Sequence, residues 1–219
     1  AVLIDTGTRC ADLDKIVGQI TGKPLEVIVT HMHPDHAGCI KYFDKVWMHR
    51  ADTVLVPQHA ADYQGEFLYM EEGQVFDLGG RKLEVAWMPG HTPGSVVLLD
   101  KANGDCYSGD AFGSGEVWLQ CVPMSPIATF HESCCRMEKL MKEGHIKDIW
   151  CGHYPYLKSS LPLAYIQTMI RISHRLMNGD QEGSEPYSNY FIKMPPTARK
   201  LAEGRAMIVY DSTNIPEAR

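Results

Sequence analysis

The feature that most constrains this chain is the segment THMHPDH (residues 30–36), which follows at once on the apolar, β-branched run LEVIV (25–29). Three imidazoles and one carboxylate fall within six positions. Such a run reads as a buried strand, and the turn where a strand ends can aim side chains out of the core toward one point. A single loop holds too few donors for a metal centre, so others must stand at further strand ends. KLEVAWM (82–88) leads into Pro89-Gly90-His91, DCYSG (105–109) into Asp110, and IKDIWCG (146–152) into His153. Imidazole and carboxylate donors without thiolate suit Zn2+, with Fe or Mn as options. A catalytic zinc takes three protein ligands and keeps one position open. The seven donors His31, His33, Asp35, His36, His91, Asp110 and His153 therefore point to two metals sharing a bridging carboxylate.

The rest of the chain alternates strand-like and helix-like segments. Strands are expected at 1–5, 25–30, 45–49, 82–88, 95–100, 105–109, 146–152 and 206–211. Helices are expected at 11–20, at 131–144 with Gly144 as its stop, and at 161–180. Residues 56–73, 111–127 and 179–200 read as loops that set substrate choice. The pattern predicts an α/β architecture in a single domain, residues 1–219. A net charge of −6 gives no global basic field and argues against nucleic acid as partner. No apolar run approaches the roughly 20 residues that span a bilayer. Seven cysteines, an odd number without a CxxC pair, read as free thiols and a cytoplasmic location. The chain opens without Met inside a strand-like run, so residues are expected upstream and a removed signal peptide stays open. A homo-oligomer also stays open.

His31-Met-His33-Pro-Asp35-His36 matches the HxHxDH signature of the metallo-β-lactamase superfamily, and the resemblance continues in order through His91, the SGD ending at Asp110 and the GH ending at His153. LIDTG (3–7) resembles that family's early strand, whose aspartate supports the ligand loop. The resemblance implies a four-layered αββα sandwich with the metals at one edge of two packed sheets. It implies that His31, His33 and His91 hold one metal, that Asp35, His36 and His153 hold the second, and that Asp110 bridges them. It also implies two or more strands before LIDTG, which this sequence lacks.

The implied chemistry is hydrolysis of a small-molecule substrate by a binuclear zinc centre, on an ester, thioester or lactone. Asp35 would orient the nucleophile or carry its proton. Tyr154 and Tyr156, in GHYPY, adjoin a ligand loop, and Tyr156 is the phenol expected to donate to a developing oxyanion. The absence of a GxSxG elbow leaves the serine-hydrolase reading little support. A bridging aspartate resembles glyoxalase II, lactonases and phosphodiesterases more than the true lactamases. Two rivals remain: a phosphodiesterase acting on nucleotides or nucleic acid, and a non-catalytic, partner-dependent fragment of a longer protein. His49, His59, His131, His145 and His174 read as structural or surface residues. Trp118 and the glycines at 113 and 115 are expected beside the cleft.

Overall fold

The computed structural model describes residues 1–190 and 193–216. Its first sheet is parallel throughout: β1 (Val2–Ile4), β2 (Glu26–Ile28), β3 (Lys45–His49) and β4 (Glu66–Met70), in that spatial order. Parallel neighbours need crossover connections. These are α1 (Leu13–Ile20), then α2 (Pro34–Ala37) with a 3-10 turn, then a 3-10 segment at Arg50–Leu55 with α3 (Val56–His59).

The second sheet begins as an antiparallel meander of β5 (Val75–Asp77), β6 (Lys82–Trp87), β7 (Val96–Asp100) and β8 (Asp105–Gly109). β9 (Glu116–Trp118) and α4 (Ile127–Lys142) follow, and β10 (Asp148–Cys151) returns parallel to β8, giving the order β10-β8-β7-β6-β5. α5 (Tyr154–Leu157) and α6 (Leu163–Met177) come next. β11 (Glu185–Pro186), β12 (Ala198–Glu203) and β13 (Ala206–Asp211) then join β9 in a third sheet of order β11-β12-β13-β9.

The first two sheets pack face to face. Ile28 and Met70 of one meet Phe76, Val85, Val96 and Leu98 of the other in one apolar cluster. The outer face of the second sheet is covered by α4 and α6. Phe130, Cys134, Met137 and Met141 recur on α4 at the spacing of one helical face, and they meet Ile166, Met169 and Ile172 of α6 in the largest cluster. Each large side chain buried in this way contributes about 1.5–3 kcal/mol. The outer face of the first sheet carries Val27, Val29, Val46 and Met48 beneath segments 37–60. The result is the αββα sandwich. α1 packs loosely and buries no residue completely.

All eight expected strands form. The three expected helices form as well, with α4 starting earlier, at Ile127 behind Pro126, and stopping as expected at Gly144 (φ +78°). The segments read as loops hold more order than expected: α3 and β4 lie in 56–73, β9 in 111–127, and β11 with the start of β12 in 179–200. β12 (ARKLAE) was obscured by its charged residues. It is a strand because β13 supplies six register partners across a hairpin, and not because it has an apolar face of its own.

Candidate metal centre

Every expected donor stands just past a strand end, at one edge of the sandwich. β2 delivers His31 and His33 and, through α2, Asp35 and His36. β6 delivers His91, β8 delivers Asp110, and β10 delivers His153. The two sheets touch where Gly109 ends β8. It holds φ +48°, and a Cβ there would collide with the Thr30 side chain. That close approach is what brings Asp110 beside the His31–His36 loop.

The donors form two groups. Ligand atoms of His31, His33 and His91 lie within 4.8 Å of one another, and so do those of Asp35, His36, Asp110 and His153. In the first group His33 Nδ1 is 2.9 Å from His91 Nε2. In the second, Asp110 Oδ2 is 3.0 Å from His153 Nε2 and 3.5 Å from His36 Nε2, and Asp35 Oδ2 is 3.4 Å from His153 Nε2.

Outer partners fix how the rings face. His91 Nδ1 donates to the Trp118 carbonyl at 2.8 Å, leaving the Nε2 lone pair for the centre. His36 Nδ1 meets Asp5 Oδ2 at 2.7 Å. The other Asp5 oxygen accepts from Thr30 N–H at 2.7 Å, and Thr30 Oγ1 lies 3.1 Å from His31 Nδ1. Asp5 holds φ +60°, a conformation few non-glycine residues adopt, as it supports this loop.

Electrostatics divides the two groups. Burial, followed by the neighbouring imidazoles, pushes His31 well down, and burial with His91 brings His33 down to about 3; His91 is also lowered, chiefly by burial. These three rings are therefore neutral, the form that ligates a metal. His153 is raised to about 9, first by its hydrogen bond to Asp110. Burial works against charge on His36, yet Asp5 and Asp110 outweigh it and raise its pKa. Burial opposes ionisation of Asp110 as well, but the hydrogen bond from His153 and the nearby charge of His36 hold its carboxyl well below the usual range.

The donors fit metal ions. Four buried side-chain polar atoms lack a hydrogen-bond partner among the described residues, and three of them, His31 Nε2, His36 Nε2 and Asp110 Oδ1, converge here. Uncompensated burial of such atoms is costly. Cations at the two groups would satisfy all three.

One supporting residue had no signal in the sequence. Asp52, fully buried in the 3-10 segment after β3, accepts from Met32 N at 2.9 Å, Thr92 Oγ1 at 3.0 Å and Gly94 N at 2.5 Å. It thereby ties the His31–His36 loop to the His91 loop. His59, read as a surface residue, has its ring 5.8 Å from that of His33. Tyr154 is exposed on α5, with its ring 5.8 Å from Trp150. Tyr156 lies on α5, and its side chain falls outside the described residues. The basic residues of the C-terminal part are largely engaged locally: Arg171 pairs with Glu203, Arg175 with Asp180 and Lys200 with Glu185. No described helix is long and apolar enough to cross a membrane.

Known proteins resemble this chain in sequence and in shape. The human acyl-coenzyme A thioesterase MBLAC2 is 28% identical over 159 residues, covering 60% of this chain and 57% of that protein. A hydroxyacylglutathione hydrolase from Synechococcus sp. (strain JA-3-3Ab) is 24% identical over 162 residues, covering 70% and 58%. The chain thus spans less than two thirds of the length of these curated relatives. The crystal structure of TTHA1623 in a di-iron-bound form superposes with a TM-score of 0.58 at 27% identity, covering 74% of this chain and 84% of that one. The family model for the metallo-beta-lactamase superfamily matches residues 1–131 of the 219, more than half of the sequence, and the protein belongs to that superfamily.

Proposed function

We propose that this chain is a metal-dependent hydrolase whose two-metal centre opens an ester, thioester or lactone of a small-molecule substrate. The observation that carries the reading is the convergence of seven donors in two groups, with three buried atoms that have no protein partner and that cations would satisfy. In this reading His31, His33 and His91 hold one ion, Asp35, His36 and His153 hold the other, and Asp110 serves both. Zinc suits the imidazole and carboxylate donors, with iron or manganese as alternatives; the di-iron form of TTHA1623 keeps iron in view. Bound there, two divalent ions supply a water of lowered pKa and polarise the acyl oxygen.

The chain's own residues do the rest. The imidazoles of His31, His33 and His91 are held neutral by burial, and His91 is oriented by the Trp118 carbonyl. Asp35 is the one exposed member of the donor set. Its carboxylate is the acceptor of the attacking water's proton in this reading, and its Oδ2 stands 3.4 Å from His153 Nε2, a fellow donor of the same group. Tyr156 is the proposed donor to the developing oxyanion. Preference for an acyl substrate draws support from the names of the relatives, a thioesterase and a hydroxyacylglutathione hydrolase. Residues 1–219 are taken to act as one domain, because the apolar clusters cover both faces of the second sheet.

The test loads the protein with zinc and compares a thioester and a lactone with a bis-aryl phosphate, using Asp110→Ala as control. Acyl cleavage is expected to be faster and to collapse in the control, with about one metal equivalent lost. Faster cleavage of the phosphate would replace the acyl reading with a phosphodiesterase.

A further inference from the structure

A second group of soft donors lies on the opposite side of the second sheet from the first, on the exposed surface of the α4–α6 pair. On α4, His131 and Cys135 are one turn apart and face the same way, with Cys135 Sγ 3.5 Å from His131 Nε2. The imidazole is oriented from below. His131 Nδ1 lies 2.9 Å from Ser173 Oγ on α6, and that buried hydroxyl donates to the Met169 carbonyl at 2.7 Å. The hydroxyl proton is therefore engaged, and Ser173 accepts from Nδ1–H. This leaves Nε2 without a proton on the side of the thiol, which lies 3.5 Å away. His174, the next residue on α6, places its ring 6.0 Å from that of His131.

We propose that His131, Cys135 and His174 form a surface site for one thiophilic divalent cation, Zn2+ foremost, separate from the centre at the strand ends. One of its spacings is already that of tetrahedral zinc. With Zn–S of about 2.3 Å and Zn–N of about 2.0 Å, a sulfur and a nitrogen on one ion stand about 3.5 Å apart, and the observed separation is 3.5 Å. Two imidazoles on one such ion bring their ring centres to about 5 Å. Binding would require the 6.0 Å between His131 and His174 to shorten by about 1 Å through a rotamer change of the exposed His174 side chain, which would give up its 3.4 Å contact with the Asn178 amide. Ser173 plays the part of the outer partner that fixes a ligating histidine's tautomer. α4 and α6 are joined by apolar packing through Cys134, Met137, Met169 and Ile172, so the donors stand on a stiff base. On binding, the thiol proton leaves to solvent as the sulfur–metal bond forms, and the fourth position stays open to water.

Sulfur makes the site separately visible, because the donor set at the strand ends contains no thiolate. Cys121 is the exception to control, since burial pushes its thiol up to about 11 and the Asp35 and Asp110 carboxylates act on it as well. The experiment titrates the metal-free full chain with Co2+ and reads thiolate-to-cobalt charge-transfer absorption together with bound cobalt. The expected result is a charge-transfer band that carries one cobalt beyond the main centre. The band should vanish in Cys135→Ser and His131→Gln and persist in Cys121→Ser. His174→Gln and Ser173→Ala should retain it at weaker affinity, by about 10–100-fold for Ser173→Ala. Absence of the band in the wild-type chain, its survival in Cys135→Ser, or its loss in Cys121→Ser would each overturn the proposal.

Discussion

Replacing Asp52 tests whether one buried carboxylate joins the two ligand loops. In Asp52→Ala the Met32 and Gly94 N–H groups lose their acceptor. The Thr92 hydroxyl does not, because it can turn to Ser95 Oγ, 2.8 Å away. Two buried backbone donors left unsatisfied cost about 1–3 kcal/mol each, so the variant should lose about 2–6 kcal/mol. With a urea m-value of about 3 kcal/mol/M for a chain of this size, the unfolding midpoint falls by about 1–2 M. Asp52→Asn should be milder. Its amide oxygen can keep Met32 N and Thr92 Oγ1, and only Gly94 N then faces an NH2 group, at about 1–3 kcal/mol. Met32 lies between two of the proposed ligands and Thr92 follows a third, so both variants should also bind metal about 10–100-fold more weakly. Equilibrium urea unfolding of the metal-free proteins supplies the comparison. Asp52→Ala within about 0.5 kcal/mol of wild type, or Asp52→Asn the more damaged of the two, would refute the reasoning.

Two further outcomes follow from the same geometry. A Cβ at Gly152 would stand 2.5 Å from His36 Cε1 and 3.1 Å from Asp110 Oδ1, while Asp5 prevents His36 from swinging away. Gly152→Ala should therefore fold with an overpacking cost of about 1–3 kcal/mol and lose metal from the Asp35–His36–Asp110–His153 group; a full metal complement after dialysis would contradict this. In the metal-free protein His153 titrates at about 9, held up first by Asp110 and then by Asp35, against about 6.5 in the unfolded chain. The folded state binds the extra proton between those values. The stability it confers is complete below about pH 6.5 and is lost as pH rises through 9. The gap in urea midpoint between wild type and His153→Gln should accordingly narrow with rising pH, and a gap that stays constant would count against the assignment.

Much of the fold was legible because it is written in local pattern. Runs such as LEVIVT, buried on both faces from Val27 onward, and SVVLLD, buried throughout, read as strands without ambiguity. The apolar stripe of α4 reads equally well. Two strands were not legible: β12 carries charged residues, and β4 (EFLYM) lies inside a stretch that read as a loop, and both are fixed by their pairing with β13 and β3. At the centre, the donors were visible as residue types at strand ends, and the supporting role of Asp5 through the resemblance of LIDTG to the family's early strand. Asp52 was not, because nothing in HRADTVL marks a carboxylate that two distant loops will share.

The sequence by itself determined which donor atoms this protein can offer and the α/β order of the elements that carry them, since both follow from residue type and period. Only the tertiary structure decided that those donors meet. Gly109 lets the sheets close at Thr30, Asp52 joins Met32, 20 residues away in sequence, to Thr92 and Gly94, 40 and 42 residues away, and the packing of α6 on α4 puts Ser173 under His131. Each of these is a contact between segments far apart in the chain, fixed by steric fit and buried hydrogen bonding, to which local sequence pattern carries no pointer.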